Sequence, residues 1–308
     1  MELNGDIGAT NARFQCVEGG ARSGEVWLGE TSRFASTEDL LQAACGDFGA
    51  RFERTAIAVA GPQLDDGSIQ VTNGKLRFTV ASCHEALQCP VTLINDFYAV
   101  AKGVPYFRSL EMIGGTPTFE DLTKAVLGPG TGLGMATVSP VGNGVWHVLA
   151  GEGGHADLSP GSHLETELWS ILINEFGHVS WETVLSGKGI ENLYRATSMM
   201  WGVQPENKSA VSICAAGISI EDPVCHQSME LFAGLLGSAA GNLALTVGAK
   251  GGVYIAGGIA PRMVEFLKGA PVRRRFEEKG AISDYVKDIP LYIVTEAEPG
   301  LEGALRCL

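Results

Sequence analysis

Two short stretches of this 308-residue chain, Asp6-Ile7-Gly8-Ala9-Thr10-Asn11-Ala12-Arg13 and Gly128-Pro129-Gly130-Thr131-Gly132-Leu133-Gly134, each set a threonine close to glycine, and each opens the same succession of elements. In the first half, strand patterns at the N-terminus, at 13–17 and at 25–34 precede a helix at 36–48, which Ser36 can cap and whose Leu40, Leu41, Ala44 and Phe48 share one face. A buried strand at 55–60, a short helix at 82–87 and a strand at 91–95 follow. The second half repeats the order. Strands at 124–128, 134–138 and 145–150 come first, then helices at 164–176 and 189–200, a long helix at 224–245, a strand at 252–256, a helix after Pro261 and a strand at 291–294. A chain written twice in this way predicts a duplicated α/β architecture of two lobes with a ligand cleft between them. The joint falls near Pro105, and the last helix, at 301–307, fits against either lobe.

Glycine supports the reading, because 41 residues of it is nearly twice the usual share of about 7%. They cluster where backbone must turn tightly or approach a ligand. The formal charge of −13 speaks against a nucleic-acid partner, whose phosphates need clustered cations. The one basic run, Arg273-Arg274-Arg275, reads as a solvated helix face. Seven cysteines without a C-x-x-C pair fit reduced thiols in a cytoplasmic protein. The first residues lack the basic and apolar regions of a secretory signal. The uncharged stretch 231–248 contains Ser238, Asn242, Thr246 and several glycines, so it reads as a buried core helix and no membrane partner is expected.

The segment 128–134 is not a Walker A loop, since no Gly-Lys-Ser/Thr follows, and its G-x-G-x-G-x-G runs into a strand pattern rather than the helix of a dinucleotide site. A plain glycine turn is the alternative. Two glycine-threonine hairpins facing each other would offer amides and hydroxyls to a polyphosphate from both sides. Asp6 stands where it could hold Mg²⁺ through water, although aspartate also serves turns. Asn95-Asp96 ends one apolar strand and starts a helix; capping explains one polar residue there but has less use for two. Gly151-Glu152-Gly153-Gly154-His155-Ala156-Asp157 surrounds carboxylates and an imidazole with glycine. That mixture suits sugar hydroxyls, which donate and accept. Glu182 is a further carboxylate of that kind, or a surface glutamate. The pair in Gly257-Gly258 lets a base or phosphate approach the backbone.

Taken in order, these segments resemble the bacterial glucokinase family of the sugar-kinase, actin and heat-shock-chaperone superfamily. Also matching are His178-Val179-Ser180, Leu185-Ser186-Gly187, Asn192-Leu193-Tyr194-Arg195, Gly241-Asn242-Leu243-Ala244-Leu245 and Ile255-Ala256-Gly257-Gly258-Ile259-Ala260-Pro261-Arg262. The resemblance implies two actin-like (ribonuclease H-like) lobes, a small one of 1–106 completed by 296–308 and a large one of 107–295. It implies transfer of the ATP γ-phosphate to the glucose 6-hydroxyl, with Asp96 as catalytic base and Asn95, Asp96, Glu152, His155 and Glu182 as sugar ligands. ATP would lie on Gly5, Asp6, Ile7, Gly8, Ala9, Thr10, Gly130, Thr131, Gly132, Gly257 and Gly258, Mg²⁺ on Asp6, and the enzyme would be a homodimer. A kinase for another hexose and a sugar-sensing repressor of the same fold are the alternatives. The repressor would need a DNA-binding helix pair before Asp6, where five residues stand.

Two departures from the family pattern bear on nucleotide binding. Ala9 replaces the second of two adjacent glycines, so a positive φ there would be strained. Glu2 and Asn4 also make the first strand polar where apolar residues are expected.

Overall fold

The computed structural model describes residues 1–72 and 74–308. They divide into two compact units, one of Met1–Arg108, Trp146–Val148 and Glu296–Leu308, the other of Ser109–Val145 and Leu149–Thr295.

The first unit contains strands β1 (Glu2–Ile7), β2 (Asn11–Glu18), β3 (Ala21–Glu30), β4 (Thr55–Val59) and β7 (Val91–Asn95) in the order β3-β2-β1-β4-β7, with a separate small hairpin of β5 (Ile69–Gln70) and β6 (Arg77–Phe78). The first three strands form an antiparallel meander, whereas β4 runs parallel to β1 and β7 parallel to β4. Parallel neighbours need crossovers, and helices α1 (Thr37–Phe48) and α2 (Val80–Leu87) supply them. Helix α1 starts where the Ser36 hydroxyl accepts the Asp39 N–H at 3.1 Å and stops at Gly49, whose φ of 60° ends a helix without a Cβ penalty. Leu3, Ile7, Phe14, Leu40, Leu41 and Ile57 are fully buried between sheet and helices.

Helix α3 (Asp96–Gly103) follows β7, and the C-terminal helix, Pro299–Leu305, packs against it and against β1 and β4. The contact is made of small residues, Ala56, Ala58, Ala99 and Ala304. It also explains the polar first strand. The Asn4 side chain, fully buried, donates to the Leu301 carbonyl at 2.7 Å, and Glu2 pairs with Arg54. Asn4 fastens the chain's two ends together directly, and Glu2 does so through Arg54, which also donates to the Leu308 carbonyl.

The second unit is built on a six-stranded sheet of β8 (Leu110–Gly114), β9 (Lys124–Pro129), β10 (Leu133–Gly142), β11 (Val145–Gly151, of which Trp146–Val148 count with the first unit), β12 (Val253–Ile255) and β13 (Leu291–Val294), ordered β11-β10-β9-β12-β13-β8. Helices α4 (His163–Phe176), α5 (Gly187–Met200), α6 (Ala210–Ile218) and α7 (Pro223–Val247) accompany it. Helix α7 is long and apolar enough to cross a membrane, yet 67% of its most apolar window is buried inside the protein. It is a core helix. Strand β8, helix α6 and the β5–β6 hairpin have no counterpart in the sequence reading: the strands are short, and α6 is a nine-residue run of mostly small and apolar side chains without clear periodicity.

The expected solvated face at 273–275 is not what forms. In helix α9 (Val272–Glu277), preceded by α8 (Val264–Gly269), the Arg274 side chain is 68% exposed, but those of Arg273 and Arg275 are only 16% and 12% exposed. Arg275 bonds the buried Glu165 at 2.9 Å and the Ser238 hydroxyl at 3.1 Å, tying three helices together. A buried cation needs such partners.

Candidate active site

In the first unit the β1–β2 hairpin register sets Asp6 directly opposite Arg13. The turn between them is braced from one side. Gly8 donates its N–H to the Asn11 carbonyl at 2.8 Å, the Thr31 hydroxyl donates to the Gly8 carbonyl at 2.9 Å, and the Thr31 N–H donates to the Thr10 carbonyl at 2.9 Å. Among the described residues, those other than glycine at positive φ are Gln88, Asn143 and Ile220. Ala9 is therefore not in the left-handed region, and the strain expected of it is absent. Gly5 is not part of the turn: it lies inside β1 between Phe14 and Ile57, and a Cβ there would stand 2.5 Å from the Phe14 ring. Ile7 is likewise a core residue. Of the six expected nucleotide positions in this segment, Asp6, Gly8, Ala9 and Thr10 gather at the turn.

Asn95 and Asp96 divide the work at the start of α3. The Asn95 side-chain oxygen accepts the Tyr98 N–H at 2.9 Å and so caps the helix, while its amide donates to the Gly61 carbonyl at 2.8 Å and to Asp96 Oδ1 at 3.0 Å. Asp96 Oδ1 also accepts the Phe97 N–H at 2.8 Å. Capping thus accounts for Asn95 and not for Asp96. Burial pushes the Asp96 carboxyl up to about 6, against the lowering pull of the Phe97 and Asp96 N–H groups and of the Asn95 amide. An ordinary aspartate titrates at about 3.9. Burial raises Asp6 to about 7, and the neighbouring Asp96 charge adds to that, while Arg13 opposes it. Two features here were not foreseen. Arg13 pairs with Glu298 at 2.9 Å, and Gly300 of the C-terminal helix abuts the Asp6 carboxylate so closely that a Cβ would lie 2.4 Å from it. The hairpin register alone could have nominated Arg13.

In the second unit the other glycine hairpin is a tight antiparallel turn, Leu133 pairing with Pro129, with the Gly130 N–H donating to the Gly132 carbonyl at 2.8 Å. Thr131 is exposed at its tip. Gly257 follows β12 with φ 80°, and a Cβ there would stand 2.5 Å from the Pro129 carbonyl oxygen. The second turn therefore rests directly on the first, and Gly258 faces open space. Glu152 and His155 sit beyond β11 on an exposed loop. The His155 ring lies 4.0 Å from Glu182 Oε1, His178 lies 3.4 Å from Asp157, and Glu182 Oε2 accepts the Leu133 N–H at 2.8 Å. Thus His155 and Glu182 meet beside the hairpin, an imidazole and a carboxylate able to bind hydroxyls, with Glu152 on the same loop as His155.

Solved structures sharing this fold define the class. A glucokinase from an Antarctic psychrotroph superposes with a TM-score of 0.89 at 34% identity, covering 99% of this chain and 98% of its own. A ROK family glucokinase from Streptomyces griseus, solved with glucose and AMPPNP, has the same fold at TM-score 0.65 and 19% identity, with 99% and 98% covered. The protein is an α/β sugar kinase of the actin-like ATPase fold. The Glucokinase family model matches residues 3–308, and the glucokinase of Chromobacterium violaceum is 40% identical over 305 residues, or 98% of this chain and 87% of that one. The chain belongs to the glucokinase family, and its enzyme class is that of ATP-dependent hexose kinases.

Proposed function

We propose that this enzyme moves the γ-phosphoryl group of ATP to the 6-hydroxyl of glucose. The bond from O6 to phosphorus forms, the bond from phosphorus to the β-phosphate oxygen breaks, and the hydroxyl proton passes to Asp96. The observation that carries the reading is the buried Asp96 carboxylate at the start of α3, whose Oδ1 is held by the Phe97 N–H and the Asn95 amide. Asn95 supports it chiefly by orienting Asp96, since both bonds of its amide are already made. Glu152, His155 and Glu182 are the remaining sugar ligands.

The turn of Asp6, Gly8, Ala9 and Thr10 and the hairpin of Gly130, Thr131 and Gly132 would take the phosphates, with Gly257 and Gly258 nearer the nucleoside. Mg²⁺ favours one or two carboxylates plus phosphate oxygens and water over a cage of protein ligands. Asp6, a carboxylate beside the phosphate turn with Asp96 close enough to feel its charge, fits that preference; the ion, when bound, neutralises phosphate charge. We assign the enzyme to the cytoplasm as a homodimer.

A coupled assay over a panel of hexoses with Mg²⁺ and ATP tests the assignment. Glucose should be phosphorylated at the 6-position, and turnover confined to fructose or an amino sugar would transfer the enzyme to another hexose. Because the base must be ionised to accept a proton, kcat/KM for glucose should fall on the acid side with an apparent pKa near the Asp96 value of about 6. A profile flat down to about pH 4.5, close to the ordinary carboxylate range, would contradict the raised carboxyl.

A further inference from the structure

We propose that Glu182 is a positioning residue for the nucleotide hairpin as well as a sugar ligand, so that each substrate tightens the binding of the other through one carboxylate. The proposal rests on the sugar-ligand reading above and adds to it. Glu182 Oε2 accepts the Leu133 N–H at 2.8 Å, at the base of the hairpin that carries Thr131, while Oε1 faces His155 at 4.0 Å. One oxygen serves the hairpin and the other faces the sugar cluster.

The backbone around Glu182 repeats the connection. Glu182 N–H donates to the Gly154 carbonyl at 2.8 Å and Trp181 N–H to that of Ala156 at 3.1 Å, which fastens the segment to the loop of Glu152 and His155. At its other end, Gly187 N–H donates to the Gly130 carbonyl at 2.8 Å. Between these points Trp181, Val184 and Leu185 are buried, and the Asn192 amide donates to the Thr183 carbonyl at 2.9 Å. Residues 181–187 thus form a strut from sugar loop to phosphate hairpin. Position 132 has to be glycine for the strut to work, because a Cβ there would lie 2.5 Å from Glu182 Oε2 and push it off Leu133.

A carboxylate shared by two ligands links their affinities reciprocally. A hydroxyl that bonds Oε1 fixes the Glu182 rotamer, and a fixed rotamer holds the Leu133 N–H and the hairpin in one geometry. The hairpin then loses less freedom when the phosphates arrive, and by linkage the effect is equal in both directions.

Calorimetry with glucose and Mg-AMPPNP tests this. In the native enzyme, saturating glucose should tighten AMPPNP by about five-fold or more. Glu182→Ala should weaken AMPPNP roughly ten-fold without sugar, the scale of one charge-assisted hydrogen bond, and abolish the dependence on glucose. Glu182→Gln retains an oxygen to accept the Leu133 N–H, so its AMPPNP affinity should return to within about three-fold of native while glucose binding stays weak. Gly132→Ala should weaken glucose several-fold with no nucleotide present, an effect that a hairpin serving phosphates alone would not produce. If Glu182→Ala lost glucose but bound AMPPNP as the native enzyme does, with the same response to glucose, the strut would be wrong and the sugar-ligand reading intact. If it bound glucose normally, the sugar-ligand reading would fail and the coupling with it. Should the alanine variant not fold, unchanged glucose affinity in a folded Gly132→Ala protein overturns the proposal.

Discussion

Asp96→Asn will turn glucose over roughly 10² to 10⁴ times more slowly than the native enzyme, the usual worth of general acid–base catalysis, while the glucose dissociation constant stays within a few-fold. Asparagine keeps the size of the side chain and an oxygen for the Phe97 N–H, so the start of α3 should remain as it is. It cannot take up the hydroxyl proton. With the native carboxyl at about 6, most of the enzyme is ionised at about pH 7.5, so a base is available; its raised pKa makes it a stronger one than an ordinary aspartate. Helix capping does not offer a competing explanation, because Asn95 provides the cap. The proposed sugar ligands Glu152, His155 and Glu182 are untouched by the change. Single-turnover rates together with calorimetric glucose titration separate the two effects. Near-native kcat in a folded variant would remove Asp96 from the mechanism, and a glucose dissociation constant raised as far as kcat falls would make it a binding residue instead.

The reciprocal variants at Glu182 and Gly132 address a different kind of contact, and the difference shows what the sequence could carry. The junction at Asn95-Asp96 was readable because the cap, the helix and the preceding strand are local: three consecutive interactions fall within a few residues. The glycine hairpins were readable for the same reason. Glu182, by contrast, meets Leu133 across 49 positions, Arg275 meets Glu165 across 110, and Asn4 meets Leu301 across 297. No local pattern encodes such a partner. An arginine triplet therefore resembled a solvated face when two of its members had buried or partly buried duties, and the partner of the polar Asn4 in the first strand, the Leu301 carbonyl, lies at the far end of the chain.

Ala9 and Gly5 show the same limit on a smaller scale. A glycine can be required by φ, by a ligand or by a neighbouring side chain, and the sequence does not say which. At Gly5 the neighbour is the Phe14 ring. At Gly257 the requirement is a φ of 80° together with the Pro129 carbonyl. At position 9 no left-handed φ exists, so alanine is accommodated and an Ala9→Gly change has no strain to relieve.

Gly303→Ala is expected to destabilise the protein by about 3 kcal/mol, the upper part of the ordinary range for overpacking, and to carry the damage to the β1–β2 turn, the proposed phosphate site. A Cβ at 303 would lie 1.6 Å from the Ala99 carbonyl oxygen, and that oxygen belongs to the backbone of α3, so no side-chain rotation relieves the clash. The C-terminal helix would have to move away from α3. That helix also brings Gly300 against Asp6 and the Leu301 carbonyl to Asn4, so separation should loosen the Asp6 environment and weaken nucleotide binding along with stability. Gly46→Ala is the matched control. It changes glycine to alanine in the exposed part of α1, where nothing lies within 4 Å of the added Cβ, and helix propensity predicts a gain of up to about 1 kcal/mol. Urea unfolding of both variants, with AMPPNP titration of each at native conditions, measures the two consequences. Opposite shifts in the denaturation midpoint, with nucleotide affinity lowered only in Gly303→Ala, are the expected result. Native stability in that variant would mean that the two helices do not approach this closely, and the placement of Gly300 beside Asp6 would fall with it.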